Sequence, residues 1–167
     1  MSEETVLQPS WAPPAYAPAP TGRRQLVGDW MTSPVKVIPA DTPINDAYNL
    51  MQDYGIRRLP VAQDGRLVGI VTLGDLREAR ASSGGSLSIY DQEYVLANMT
   101  VAQAMTEQPF TVPAGASIQM AAGLMLANKI GGLPVLDLHG EIVGIITESD
   151  IFRMLVVQGD RFDTAEP

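Results

Sequence analysis

Gly144-Ile145-Ile146-Thr147-Glu148-Ser149-Asp150 repeats an earlier stretch of the chain, Gly69-Ile70-Val71-Thr72-Leu73-Gly74-Asp75. Each copy reads glycine, two β-branched apolar residues, threonine, two variable residues and aspartate. Each follows a turn signal, Asp64-Gly65 or His139-Gly140, and precedes an apolar-periodic segment. The string predicts a buried strand running straight into a helix.

The likeness spreads outward from both copies. Leu59-Pro60-Val61 matches Leu133-Pro134-Val135, Pro39-Ala40 matches Pro113-Ala114, and Met31-Thr32 matches Met105-Thr106, each pair 74 residues apart. One extra residue between Val135 and Gly140 makes the offset 75 at the Thr-x-x-Asp string. So constant an offset is the mark of an internal duplication.

The pattern divides the 167 residues into a tail (1–25), a first repeat (26–81), a connector (82–100), a second repeat (101–157) and a polar end (158–167). The tail is rich in Pro and Ala, as in Trp11–Pro20, and reads as extended; Trp11 and Tyr16 could dock on a partner. In the first repeat Val27–Met31 is a short helical lead-in and Val35–Ile38 a strand stopped by Pro39. Thr42 is the expected N-cap of a helix with Pro43 in its first turn, and Ile44, Ala47, Tyr48, Met51 and Tyr54 share one face of it. Strands follow at Arg58–Ala62 and Leu67–Thr72, then a helix from Leu73 to Ala81. The second repeat predicts a helix over Ile118–Asn128, strands at Leu133–Leu136 and Ile142–Thr147, and a helix to Val157. Its methionines, like those of the first, read as core filling. Tyr90–Ala97 in the connector reads as a further helix. Each β-α-β-β-α unit is too small to bury its apolar faces alone, so an α+β pair of repeats sharing one core is expected.

Composition narrows the function. No apolar run approaches the ~20 residues that span a bilayer, and the acidic start Met1-Ser2-Glu3-Glu4 lacks a secretory pattern, so the expected location is cytoplasmic. A net charge of −8 disfavours nucleic acid. With no cysteine, and one histidine (His139) in a turn, no nucleophile dyad or His/Cys metal site can be assembled. Asp137 and Glu141 beside it read as surface charge, and no phosphate-cradling Gly-x-x-x-x-Gly-Lys string exists. No catalytic residues and no metal ligands are expected.

The repeated corner itself supports two readings. Thr-x-x-Asp is a capping-box variant, which could be its whole purpose. Equally, a helix N-terminus suits a phosphate, Thr72 or Thr147 could add a hydroxyl, and Asp75 or Asp150 could accept from a ribose diol beside a flat apolar strand. Phosphate, diol and flat base together describe a nucleotide.

The duplicated Met-Thr…Pro, Ile-x-x-Leu-Pro-Val and Gly-apolar-apolar-Thr-x-x-Asp strings resemble the CBS domain, the module named after cystathionine β-synthase. The resemblance covers about Val27–Arg80 and Val101–Leu155, and the pair is similar to stand-alone and acetoin-utilisation-type regulators. It implies a tandem pair with pseudo-twofold symmetry, dimerising through its helices, and two clefts for AMP, ADP, ATP or S-adenosylmethionine. No cofactor is required, and Mg2+ could accompany ATP. Carried over, Asp75 and Asp150 would hold ribose. Thr72, Thr147, Arg57 and Arg58 would meet phosphate, and Ile38, Val112, Ile56, Ile130, Pro60 and Pro134 would line the adenine. Where the first repeat has Arg57-Arg58 the second has Gly131-Gly132, so one cleft should be phosphate-rich and one poor; an ordinary solvated arginine pair is the bland alternative. The expected role is a regulatory sensor of an unidentified protein. The rivals are a structural interaction module without a nucleotide and a ligand carrier without output.

Overall fold

In this computed structural model the described residues are 25–82, 94–95 and 97–159. The Pro/Ala-rich tail, the polar end beyond residue 159 and much of the expected Tyr90–Ala97 helix lie outside them. In chain order the elements are α1 (Val27–Trp30), β1 (Ile38–Pro39), α2 (Ile44–Asp53), β2 (Arg58–Gln63), β3 (Arg66–Thr72) and α3 (Leu73–Ser82). A one-turn 3-10 helix (Val101–Gln103) opens the second half. It is followed by β4 (Thr106–Glu107), β5 (Val112–Pro113), α4 (Ile118–Asn128), β6 (Gly132–Leu136), β7 (Ile142–Thr147) and α5 (Glu148–Gly159).

β2 and β3 form an antiparallel hairpin, closed by Asp64 and Gly65 at φ 51° and 77°. Positive φ at both turn residues matches the right-handed twist of the flanking strands. β3 then passes into α3 without an intervening loop, as β7 does into α5. The β2–β3 and β6–β7 ladders are antiparallel, and β1 and β5 join them in parallel, Ile38 opposite Val61 and Val112 opposite Val135.

The two repeats exchange their leading segments. β4, from the start of the second repeat, extends the first sheet by pairing Thr106 with Ile70 on β3. Thr32 of the first repeat forms the matching bridge to Ile145 on β7. Behind these strands, Val27 and Trp30 of α1 are buried with Val112, Leu133, Val135 and Ile146, whereas Val101 is buried with Ile44, Leu59, Val71 and Leu76. The motif glycines and repeated methionines meet here. A Cβ on Gly69 would stand 2.5 Å from Met105 Sδ, and one on Gly144 2.6 Å from Met31 Sδ. Each glycine is small because the other repeat's methionine lies over it.

The expected single shared core is instead two clusters, one around Leu133 and Ile146 and one around Leu59 and Val71, and two local expectations change as well. The Val35–Ile38 strand shortens to Ile38–Pro39, since only these residues pair with β2. Thr42 is not the cap of α2: Pro43 occupies that place without a side-chain hydrogen bond, and the Thr42 carbonyl accepts from Val101 N–H at 2.8 Å. In the second repeat the equivalent Ser117 does cap α4, its Oγ accepting from Met120 N–H at 3.2 Å.

Candidate functional site: two clefts between the repeats

Both Thr-x-x-Asp corners are bonded internally, the first as a closed capping box and the second through its aspartate alone. Asp75 Oδ2 accepts from Thr72 N–H and Thr72 Oγ1, both at 2.7 Å, and Asp75 N–H returns to Thr72 Oγ1 at 3.2 Å. Asp150 Oδ2 accepts from Thr147 N–H at 2.9 Å and Thr147 Oγ1 at 2.8 Å. The threonine protons are thereby committed to the aspartates. Leu73 N–H also bonds Arg57 O, and Glu148 N–H bonds Gly131 O. Part of each corner's donor capacity, the threonine hydroxyl included, is therefore taken internally.

The second oxygens of the aspartates differ. Asp75 is half-buried, and its Oδ1 accepts no hydrogen bond from a side chain among the described residues. Asp150 is 5% exposed, and its Oδ1 is met by Arg153 Nη2 at 3.1 Å. Arg153 also donates to Trp30 O at 2.6 Å. A carboxylate has about four lone-pair sites, so capping through Oδ2 leaves acceptor capacity at Oδ1 in each corner.

A cleft opens beside each corner, and each is built from both repeats. Cleft A, about 410 Å³, lies between Val35, Lys36 and Tyr54–Arg58 of the first repeat and Ile145, Thr147, Ser149 and Asp150 of the second. Cleft B, about 520 Å³, lies between Ile70, Thr72 and Asp75 of the first and Thr106–Phe110 and Lys129–Gly132 of the second. Of the expected wall, Ile56 lines A and Ile130 lines B. Ile38, Val112, Pro60 and Pro134 line neither. Ile38 and Val112 sit in the two cores with 6% and 1% exposure, and the prolines lie buried inside the hairpin ladders. Ile38 also borders a separate hollow beside Ala40 and Gln63, away from both corners.

The charges are unequal. Lys36, Arg57 and Arg58 line cleft A, against Asp150, whose charge Arg153 already faces. Arg58 and Lys129 line cleft B, against Asp75 and Glu107. Burial, then the neighbouring Arg57 cation, push the Arg58 pKa below the ordinary guanidinium value, and Glu148 partly opposes them. The sequence reading missed Lys36, Tyr54, Phe110 and Lys129. Lys36 Nζ lies 4.0 Å from the centre of the exposed Tyr54 ring at the mouth of A, a cation–π contact. One signal was available: Lys36 and Phe110 occupy equivalent places in the duplication.

The remaining polar candidates are structural. Asp137 Oδ1 accepts from His139 N–H at 2.8 Å and Glu141 N–H at 2.9 Å, which holds the last hairpin. The Glu141 amide, and less strongly that of His139, keep the Asp137 carboxyl below the usual carboxylate range. No group of three His, Cys, Asp or Glu that could hold a metal occurs among the described residues. Nor is any helix there long and apolar enough to cross a membrane.

The CBS domain model matches residues 27–82 and 101–157. The chain belongs to the CBS domain family, as a tandem pair. It is 35% identical over 132 residues to a CBS domain-containing protein of Dictyostelium discoideum, covering 78% of this chain and 91% of that one. Other relatives are longer: the chain spans 21% of an inosine-5'-monophosphate dehydrogenase of Thermoplasma acidophilum. Among solved structures it is similar to the CBS domain pair of protein MJ0100 in complex with 5'-methylthioadenosine and S-adenosyl-L-methionine. There the identity is 27%, the TM-score 0.69, and the match covers 80% of this chain and 98% of that one. CBSX2 of Arabidopsis thaliana in complex with AMP is 29% identical, with TM-score 0.65 and coverage of 79% and 96%. The AcuB protein of Vibrio cholerae is 29% identical, with TM-score 0.69 and coverage of 85% and 98%.

Proposed function

We propose that this CBS pair is a non-catalytic regulatory module that binds adenosine-containing ligands in clefts A and B and reports their level to a separate protein. The observation that carries this is the composite make-up of each cleft, with an aspartate corner from one repeat facing backbone and cations from the other. A ligand gripping both sides favours one relative packing of the repeats, which is what a sensor requires. Asp75 and Asp150 hold ribose through Oδ1. Lys36, Arg57 and Arg58 make A the phosphate-rich cleft, suited to AMP, ADP or ATP, with Mg2+ as a companion of ATP alone. Cleft B, with two acids and Phe110, takes a phosphate-poor ligand such as S-adenosylmethionine. We infer a cytoplasmic homodimer, its second copy seated on α4 and α5, where Leu126, Phe152, Leu155 and Val156 are exposed.

The internal bonds of both corners favour a second reading, a scaffold in which the two aspartates serve only the local fold. Thermal shift of the full chain with AMP, ADP, ATP, S-adenosylmethionine, NAD and adenosine separates the two. Ligand at a hundredfold excess over Kd stabilises by about 2.7 kcal/mol, or roughly 5–10 °C for a chain of this size. Arg57→Ala should weaken AMP and spare adenosine. A flat melting temperature across the panel would leave the scaffold.

A further inference from the structure

Among the described residues Arg58 is the one that lines both clefts. Its backbone opens β2 opposite Thr72, beside the corner of cleft B. Its side chain crosses to the other repeat and lies over Gly131-Gly132. A Cβ on Gly132 would stand 3.0 Å from Arg58 Cδ, and one on Gly131 would collide with Arg58 Nη2. The same Gly131 position is 2.8 Å from Glu148 Oε2, so the guanidinium rests where the second corner begins. By the duplication, the residue equivalent to Arg58 is Gly132. There is one cation where strict symmetry would supply two, and the glycine in the other place is what makes room for it.

We propose that the two clefts compete for the Arg58 guanidinium, so that a phosphate-bearing adenosine ligand in one cleft weakens the binding of a second in the other. This rests on the nucleotide reading above. A planar fork turned to pair bidentately with one phosphate presents fewer aligned donors to the other side. Two phosphates flanking one cation also face each other with like charge. Adenosine, which lacks the phosphate, escapes the competition.

Calorimetric titration of the full chain with AMP, and separately with adenosine, tests this. Asp75→Asn impairs cleft B and isolates A; Asp150→Asn does the reverse. The product of these two single-cleft association constants is compared with the overall two-site constant of the unaltered chain. For AMP the unaltered chain should fall short of the product by roughly tenfold or more, within the usual range of site–site coupling. For adenosine the two should agree. Arg58→Gln should erase the AMP shortfall, and Gly131→Ala, which keeps the arginine but denies it its seat, should reduce it. Agreement for AMP in the unaltered chain, or a shortfall that survives Arg58→Gln, overturns the proposal while nucleotide binding stands. Absence of heat with both AMP and adenosine removes the nucleotide reading and the competition with it.

Discussion

Arg153 touches two things that sequence places far apart, the Asp150 carboxylate and the Trp30 carbonyl. It thus ties the corner of α5 to the segment that the first repeat lends to the second. Among the described residues Asp150 is the charged one that the core encloses most, and Arg153 is a cation facing its Oδ1. Replacing Arg153 by Gln leaves a nearly buried carboxylate short of a charged donor. Hydrogen bonds to charged groups contribute about 1.5–3 kcal/mol, and partial exposure of the arginine screens some of that. Arg153→Gln should therefore lower stability by about 1–2 kcal/mol, seen as an earlier urea midpoint with an unchanged m-value. An unchanged midpoint would mean that water serves Asp150 as well as the arginine does.

At the scale of elements, the Gly144 corner depends on a strand that does not neighbour it in sequence. A Cβ there would meet Met31 Sδ, which can swing aside, but also Thr32 O at 2.9 Å, which is backbone held in the bridge to Ile145. Gly144→Ala should cost about 1–3 kcal/mol, as overpacking of a close-packed interior does. Met31→Ala should rescue it only in part, because the carbonyl remains; urea denaturation of the single and double variants checks both. The same contrast explains what the sequence could reveal. The hairpins, the helices after Thr72 and Thr147, and the α4 boundary were readable because turn residues, caps and apolar period are local signals. The exchange of β4 and Thr32 was not, since pairing partners of distant segments leave no local trace. Ile38 and Val112, expected near the adenine wall, line neither cleft for a related reason. The parallel register sets them opposite Val61 and Val135, deep in the cores, and register between distant strands is invisible in the residues themselves. Thr42 failed as a cap because its carbonyl was needed by Val101. In the site, Asp75, Asp150, Ile56, Ile130 and both arginines could be placed beside the clefts from the duplicated motif. The sharing of Arg58 depends on a side-chain path across the interface, and its one trace was the mismatch of Arg57-Arg58 with Gly131-Gly132.

For the molecule as a whole, the exchanged segments mean that neither core is complete from its own repeat. Trp30 is 7% exposed inside the core built around Leu133, Val135 and Ile146. Trp30→Ala should accordingly destabilise by about 3–5 kcal/mol, the usual cost of emptying a buried aromatic site, although residue 30 precedes the second repeat by some seventy positions. Calorimetric melting should show one transition shifting as a unit, because both cores share the interface that the tryptophan supports. The outer surface carries the remaining prediction. Phe152 and Val156, spaced one helical turn apart on α5, are 64% and 70% exposed, and Leu126 on the neighbouring α4 is 80% exposed. Apolar side chains gathered on adjoining helices favour burial against a partner, and a second copy brings an identical face related by a twofold axis. Light scattering coupled to size exclusion should give the mass of two chains. Phe152→Glu with Val156→Glu should return the mass of one, while the AMP-induced thermal shift persists, because neither residue lines a cleft. A single-chain mass before substitution would assign this face to some other protein.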